Sequence, residues 1–278
     1  MTKTALVSGV SGQDGAYLAA LLLDKGYRVV GTSRDATTQR FTNLERLGIA
    51  DRVDCLSMIH TDFRSVAQAL STVQPDEIYN LSGQSSVGLS FQQPLETLES
   101  ITIGVVNLLE AIRFLKLDAA FYNAGSSECF GDTDGLAASE TTPFRPRSPY
   151  ATAKAAAHWI VSNYRESYGL RACTGILFNH ESPLRPARFV TQKIVRGAVQ
   201  IARAGGGELQ LGNLDVARDW GWAPEYVDAM WRMMQQETID DYVIATGHTT
   251  TLRDFCDAAF QAVGLRAGDH IRTSDQFV

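Results

Sequence analysis

Apolar positions along the first half of the chain follow two different periods, block by block. Thr4–Ser8 (TALVS) is a short unbroken run, the pattern of a parallel strand buried on both faces. Ala16–Lys25 (AYLAALLLDK) spaces its apolar residues at helical intervals and stops at Gly26. Tyr27–Gly31 (YRVVG) predicts a second strand and Val53–Met58 a third. Ser65–Val73 predicts a helix, Glu77–Leu81 (EIYNL) a strand, Ile103–Lys116 a long helix, and Ala119–Asn123 the next strand. Strands alternating with helices give the fold class: α/β, a doubly wound parallel sheet of the Rossmann type. Past residue 180 strands thin out, and arginines and glycines cluster. A main domain is expected over 1–178, with segments from 214–250 returning to it. A smaller C-terminal lobe is expected over 179–278, with Trp220 and Trp222 packing it.

The first strand runs into Ser8-Gly9-Val10-Ser11-Gly12-Gln13-Asp14-Gly15 and then a helix. Glycines at 9, 12 and 15 let the backbone turn sharply and approach a pyrophosphate, and the helix start favours an anion. A nicotinamide dinucleotide is the expected cofactor, held by Gly9, Gly12, Gln13, Asp14 and Gly15. Arg34, after the second strand, suits a 2′-phosphate through bidentate pairing, which favours NADP; the neighbouring Asp35 favours NAD. Asp62 and Phe63 are candidate adenine contacts. Leu81 and Gln84, after the fourth strand, are candidate contacts where small residues let backbone near the cofactor.

Ser148-Pro149-Tyr150-Ala151-Thr152-Ala153-Lys154 opens another helix, with Pro149 in its first turn. Tyr150 and Lys154, four apart, share one face. An ammonium near a phenol favours the phenolate, so Tyr150 is a candidate base and Lys154 its partner. Upstream, Ser126-Ser127-Glu128 follows a strand that reads as buried. Glu128 is either a surface loop acid or a catalytic base, since a buried carboxylate without a partner is costly.

Composition removes other classes. The 278 residues are 45% hydrophobic and 20% charged, with a net charge of -6. No basic stripe points to nucleic acid, and no apolar run reaches the roughly 18 residues of a membrane span. The first residues lack the pattern of a signal peptide. The four cysteines, Cys55, Cys129, Cys173 and Cys256, form no C-x-x-C pair, so a cytoplasmic protein with reduced thiols is expected. His158, His180 and His248 are not at ligand spacing, and no metal is expected.

With these motifs in place the chain resembles the extended short-chain dehydrogenases/reductases, and within them the GDP-mannose 4,6-dehydratase family. The matching segments include SGVSGQDGAYLAALLLDKGYRVVG, QPDEIYNLSGQSSVGLSFQQP, SSECFG, ETTPFRPRSPYATAKAAAHWIVSNYRESYGL, GILFNHESPLR, FVTQK and LGNLDVARDWGWAPEYV. They span nearly the whole chain. The resemblance implies that Tyr150 takes the proton from the sugar 4-hydroxyl and that Glu128 removes the C5 proton and helps expel the 6-hydroxyl as water. It implies that Ser126 hydrogen-bonds the 4-oxygen, Ser127 lies beside the departing hydroxyl, and Lys154 holds the nicotinamide ribose. It further implies GDP-sugar contacts at Ser85, Asn179, Val190, Lys193, Asn213 and Arg218.

Three departures qualify the match. Arg185-Pro186-Ala187-Arg188 stands where the family has Arg-Gly and an acid, and Gln192 replaces an arginine. The loop Arg34–Thr38 lacks an arginine-serine run that many relatives extend to a neighbouring subunit, so a homodimer is expected before a tetramer. Relatives continue past the position of Val278 through an Arg-Pro-x-Glu segment. Either the chain is shortened or its nucleoside site is incomplete. Two alternatives stay open: an epimerase or reductase of the same superfamily, and a non-catalytic NADP-binding sensor or scaffold.

Overall fold

The computed structural model of the chain describes residues 2–274. Asp275–Val278, the expected edge of the nucleoside site, lie outside the described residues. The chain separates into two compact units. The first runs through Phe178 and resumes over Ala223–Ile244; the second comprises Asn179–Trp222 and continues from Ala245.

The first unit begins β1 (Thr4–Ser8), α1 (Gln13–Asp24), β2 (Arg28–Ser33), α2 (Thr42–Arg46), β3 (Asp54–Ser57), α3 (Phe63–Val73) and β4 (Glu77–Asn80). It continues through α4 (Val87–Gln92), α5 (Pro94–Leu98), a π-turn (Glu99–Ile103), α6 (Gly104–Leu115), β5 (Ala120–Ala124), α7 (Pro149–Tyr168) and β6 (Ala172–Leu177). In the second unit stand β7 (Asn179–Glu181), α8 (Val190–Ala204), β8 (Leu209–Leu211) and β9 (Ala217–Trp222). The chain then returns to the first unit with α9 (Ala223–Met234) and β10 (Tyr242–Ile244). It closes the second with β11 (Thr249–Thr251), α10 (Leu252–Gln261), α11 (Ala267–His270) and β12 (Ile271–Thr273).

Seven strands form one parallel sheet in the order β10-β6-β5-β4-β1-β2-β3. Every residue of β4, β5 and β6 is buried, as strands covered by helices on both faces must be. Leu6, Ile78 and Phe121 of the sheet pack with Leu70 of α3, Leu108 and Ile112 of α6, and Ala153 and Ala157 of α7. Strand order reverses between β1 and β4, which opens a ligand crevice at their carboxyl ends.

At the opposite end of the sheet, Glu77 is buried. Its carboxylate accepts from Lys3 Nζ (2.8 Å), Tyr27 Oη (3.1 Å), Tyr79 Oη (2.8 Å) and Gln235 Nε2 (3.2 Å). These donors satisfy a charge that would otherwise be costly to bury. Asp241, just before β10, accepts two hydrogen bonds from the Arg165 guanidinium (3.0 and 2.8 Å) and one from the Thr174 amide (2.6 Å). The returning strand is thereby tied to α7 and β6.

The second unit carries a three-stranded sheet ordered β11-β9-β7 and a β12-β8 pair. Its core joins Ile194 and Ile201 of α8 to Leu252, Cys256 and Phe260 of α10. The strands expected to be sparse here are present but short, most of them three residues long. So short a run carries no readable alternation. Trp220 packs on Phe255 (5.5 Å between rings). Trp222, expected to pack as well, is 47% exposed.

Candidate active site

The β1–α1 turn is built around glycine. Gly9 adopts φ +85°, and a Cβ there would fall 2.7 Å from the Leu81 carbonyl oxygen. A Cβ on Gly15 would fall 2.3 Å from the Gly9 carbonyl oxygen. The Gly12 amide donates to that same oxygen (3.0 Å) and closes the loop. No side chain caps the start of α1. The turn is a cradle that side chains would fill, and it fits the pyrophosphate of a dinucleotide. Beside it, Gln13 is buried and its amide donates to Asp14 (2.9 Å). Ser82 Oγ donates to Asn80 (2.7 Å), and Asn80 donates to Asn123 (3.1 Å), which ties the ends of β4 and β5 together.

A cavity of about 370 Å³ opens beyond the ends of β2 and β3, lined by Arg34, His60, Thr61, Gln84, Glu96 and Glu99 among others. Asp35 is not among its lining residues. Its carboxylate accepts from the Thr37 amide and hydroxyl (3.0 and 2.6 Å) and from those of Thr38 (3.2 and 2.7 Å). Those bonds, the hydroxyls first, hold its carboxyl at about 2. Asp62 caps α3 by accepting from the Arg64 amide (2.9 Å), and Phe63 packs edge-on to Phe114. Neither is among the cavity's lining residues. His60 escaped the sequence reading because it stands in a connection without periodicity. It sits so close to α6 that a Cβ on Gly104 would fall 2.5 Å from its Cδ2. Burial pushes its imidazole below the ordinary value, against the pull of the Ser100 carbonyl, and Arg34 pushes the same way.

At the end of β5 the backbone enters a short 3₁₀ turn, Ser127–Cys129. Ser126 Oγ caps it by accepting from the Glu128 amide at 3.3 Å. Ser126 is buried, while Ser127 and Glu128 are half-buried. Cys129 Sγ lies 3.7 Å from the Ala151 carbonyl oxygen, and the Arg145 amide donates to the Cys129 carbonyl (2.9 Å). The turn is thus held from both sides. Burial pushes the Cys129 thiol up to about 12, which leaves it inert.

α7 supplies the second wall. Ser148 Oγ caps it through the Ala151 amide (3.1 Å), and Pro149 occupies the first turn. The Lys154 ammonium lies 5.8 Å from the centre of the Tyr150 ring and donates to the Ala124 carbonyl at 2.8 Å. Burial pulls its pKa down to about 8. One turn further, His158 Nε2 stands 4.0 Å from Asp241, and burial keeps its imidazole below the ordinary value. Ser126, Glu128, Tyr150 and Lys154 therefore belong to two adjoining elements, and Ser85 is exposed just before α4.

Within the second unit, Asn179 pairs with Trp220 in register, which puts it on the same sheet as Arg218. Arg218 is exposed and donates to the carbonyl of its neighbour Ala217 (2.9 Å). Asn213 accepts from the Asp215 amide (2.8 Å), and Val190 and Lys193 open α8. The altered segment is organised: Thr191 Oγ1 donates to Glu181 (2.6 Å), and Arg185 lies 3.8 Å above the Phe189 ring with Arg188 at 5.0 Å. Gln192 donates to the Ser182 carbonyl (3.0 Å). Among the described residues no His, Cys, Asp and Glu group could hold a metal ion, and no helix is long and apolar enough to cross a membrane.

Residues 6–277 match the family described as GDP-mannose 4,6 dehydratase. A GDP-mannose 4,6-dehydratase of Sinorhizobium fredii is 49% identical over 271 residues, covering 95% of this chain and 77% of the relative. GDP-mannose 4,6 dehydratase 1 of Arabidopsis thaliana is 46% identical over 285 residues, covering 99% and 79%. Among solved structures, a Thermus thermophilus UDP-glucose 4-epimerase in complex with NAD superposes with a TM-score of 0.83 at 25% identity, covering 97% of this chain and 85% of that one.

Proposed function

The chain belongs to the GDP-mannose 4,6-dehydratase family, and from that membership we propose that it is a hydro-lyase converting GDP-mannose to GDP-4-keto-6-deoxymannose. The observation that carries the reading is Glu128. A carboxylate stands on a fixed turn at the carboxyl end of β5, beside the helix that bears Tyr150 and Lys154. An epimerase or reductase has no C5 proton to remove with water loss, and a sensor has no need of the base.

The cofactor is a nicotinamide dinucleotide, and NADP is the form that Arg34 favours. Asp35, the acid that could select a ribose diol, is occupied by Thr37 and Thr38. Held at the Gly9–Gly15 turn and by Arg34, a nicotinamide dinucleotide would supply the hydride acceptor for C4 and the hydride donor for C6. The chain's own groups handle the protons. Tyr150, biased towards phenolate by the Lys154 ammonium, takes the proton of the 4-hydroxyl. Ser126, whose oxygen accepts the Glu128 amide, keeps its hydroxyl proton for the 4-oxygen. The resulting ketone acidifies C5, and Glu128 removes that proton as the 6-hydroxyl departs beside Ser127. Of the two protons taken up, one leaves in the water and one returns to C5 when C6 is reduced. Protein and cofactor end as they began.

Ser85, Asn179, Val190, Lys193, Asn213 and Arg218 are proposed contacts of the GDP-sugar. A homodimer is the proposed assembly: Leu95 and Leu98 of α5, Ile103 and Trp159 leave apolar surface exposed on helices of one unit.

The test is mass spectrometry of GDP-mannose incubated with the protein and NADP⁺, beside Glu128→Gln. A product lighter by one water, absent with the variant, supports the reading. An unchanged mass in the presence of bound cofactor refutes it.

A further inference from the structure

His158 has no place in the proton chemistry, yet it stands at i+8 from Tyr150 and i+4 from Lys154 on the same helix. Among the described residues its buried Nδ1 has no hydrogen-bond partner, and its Nε2 stands 4.0 Å from Asp241. Such a ring is held by packing rather than by hydrogen bonds. It packs edge-on against two rings, its neighbour Trp159 at 5.0 Å and, towards the Glu128 turn, Phe144 at 4.9 Å. Phe144 in turn meets Phe130 edge-on at 5.3 Å. Phe130 is buried and follows Glu128 by two residues.

The backbone repeats this link. The Arg145 amide donates to the Cys129 carbonyl at 2.9 Å. Gly131 adopts φ +65°, and a Cβ there would fall 2.1 Å from the Arg145 carbonyl oxygen. The segment between the Glu128 turn and the start of α7 is therefore pressed onto that turn, and the row Phe130–Phe144–His158 fills the space between turn and helix. Edge-on aromatic contacts are directional, so each ring fixes the angle of the next.

We infer that His158 is a positioning residue: through Phe144 and Phe130 it sets the separation between the C5 base Glu128 and the 4-hydroxyl base Tyr150. The inference rests on the dehydratase reading. Its consequence is specific to a two-base reaction. Removing the His158 ring leaves Tyr150 and Lys154 on α7 and displaces Glu128 relative to them. Oxidation at C4 then proceeds while loss of water lags by about 10- to 100-fold, as expected for a reacting group misplaced by up to an ångström.

The test measures two quantities in the holoenzyme supplied with GDP-mannose: absorbance of the reduced nicotinamide at steady state, and the rate of water loss by mass. His158→Ala and Phe144→Ala are each expected to raise the reduced fraction several-fold while water loss slows. His158→Phe, which keeps the ring, is expected to restore the wild-type partition. The double variant should resemble either single one, because both break the same row. Glu77→Gln, which loosens the far end of the sheet, serves as the purely structural control and should lower thermal stability without raising the reduced fraction. Additive effects of the two alanine variants, or slower turnover with no rise in reduced cofactor, would overturn the positioning role while leaving the dehydratase reading intact. A wild type that never removes water from GDP-mannose overturns both.

Discussion

Ser126 Oγ accepts the Glu128 amide at 3.3 Å, so its hydroxyl caps the turn that carries the proposed base. Its oxygen fixes the turn, and in the proposed mechanism its proton serves the substrate 4-oxygen. Ser126→Ala removes both. The expected result is a kcat loss of about 10- to 100-fold, consistent with losing one donor to developing charge plus some order in the turn. Ser126→Thr keeps the hydroxyl and is expected to stay within a few-fold. Equal losses for the two variants in steady-state assays would show that the hydroxyl does neither task.

In the proposed mechanism Lys154 sets an alkaline limit. Burial lowers its pKa to about 8, so the ammonium proposed to bias Tyr150 is present below that pH and lost above it. In the free enzyme kcat/KM is expected to fall about tenfold per pH unit on the alkaline side of about 8. Lys154→Met should abolish that limb and most of the rate. A profile flat to pH 10 would remove Lys154 from the ionising role.

Arg34 should decide between the two dinucleotides. A charge-assisted bidentate pair contributes about 1.5–3 kcal/mol, or about 10- to 100-fold. Titration of the protein's fluorescence with NADPH and NADH is expected to show that loss for NADPH alone in Arg34→Ala. Asp35→Asn should leave the preference unchanged, because the carboxylate is spent on Thr37 and Thr38. NADH binding tighter than NADPH in the wild type would count against Arg34 as the selector.

Gly15 tolerates no side chain, since a Cβ would overlap the Gly9 carbonyl oxygen at 2.3 Å. Gly15→Ala must move the turn, at about 1–3 kcal/mol of overpacking. Calorimetry should show a lower melting temperature, and cofactor should no longer co-purify. Retention of both properties would mean that the turn has slack the geometry does not show.

Leu95, at 75% exposed, and Trp159, at 61%, test the assembly. Leu95→Glu with Trp159→Glu is expected to convert a dimer to a monomer in light scattering. An unchanged mass would place the interface elsewhere.

Much of this was legible in the sequence, and the reasons differ by element. β1 declares itself because a strand buried on both faces must be apolar throughout. α7 declares itself through Pro149 at its start and a tyrosine and lysine one turn apart. β7 and β11, each three residues long, hide because such runs hold too few positions for a period. Asp62 reads as an adenine contact and also caps α3; a carboxylate before a helix can serve both purposes, and residue type alone does not separate them. His60 carries no motif, and Phe144, though inside a matched segment, carries no chemistry that residue type alone would flag. Their neighbours, Gly104 and His158, are distant in sequence, and only folding brings them together.

The seventh strand has a consequence for biosynthesis. β10 and the Asp241 that ties it to Arg165 and Thr174 emerge from the ribosome after the β7–β9 stretch of the second unit. Until then β6 is an open edge, able to pair with another chain. The helix that bears Tyr150 and Lys154 is made early but acquires its Asp241 anchor late. A nascent chain emerged only as far as Phe178 would expose the unpaired edge and hold Arg165 without its Asp241 partner, leaving it open to mispairing until β10 appears.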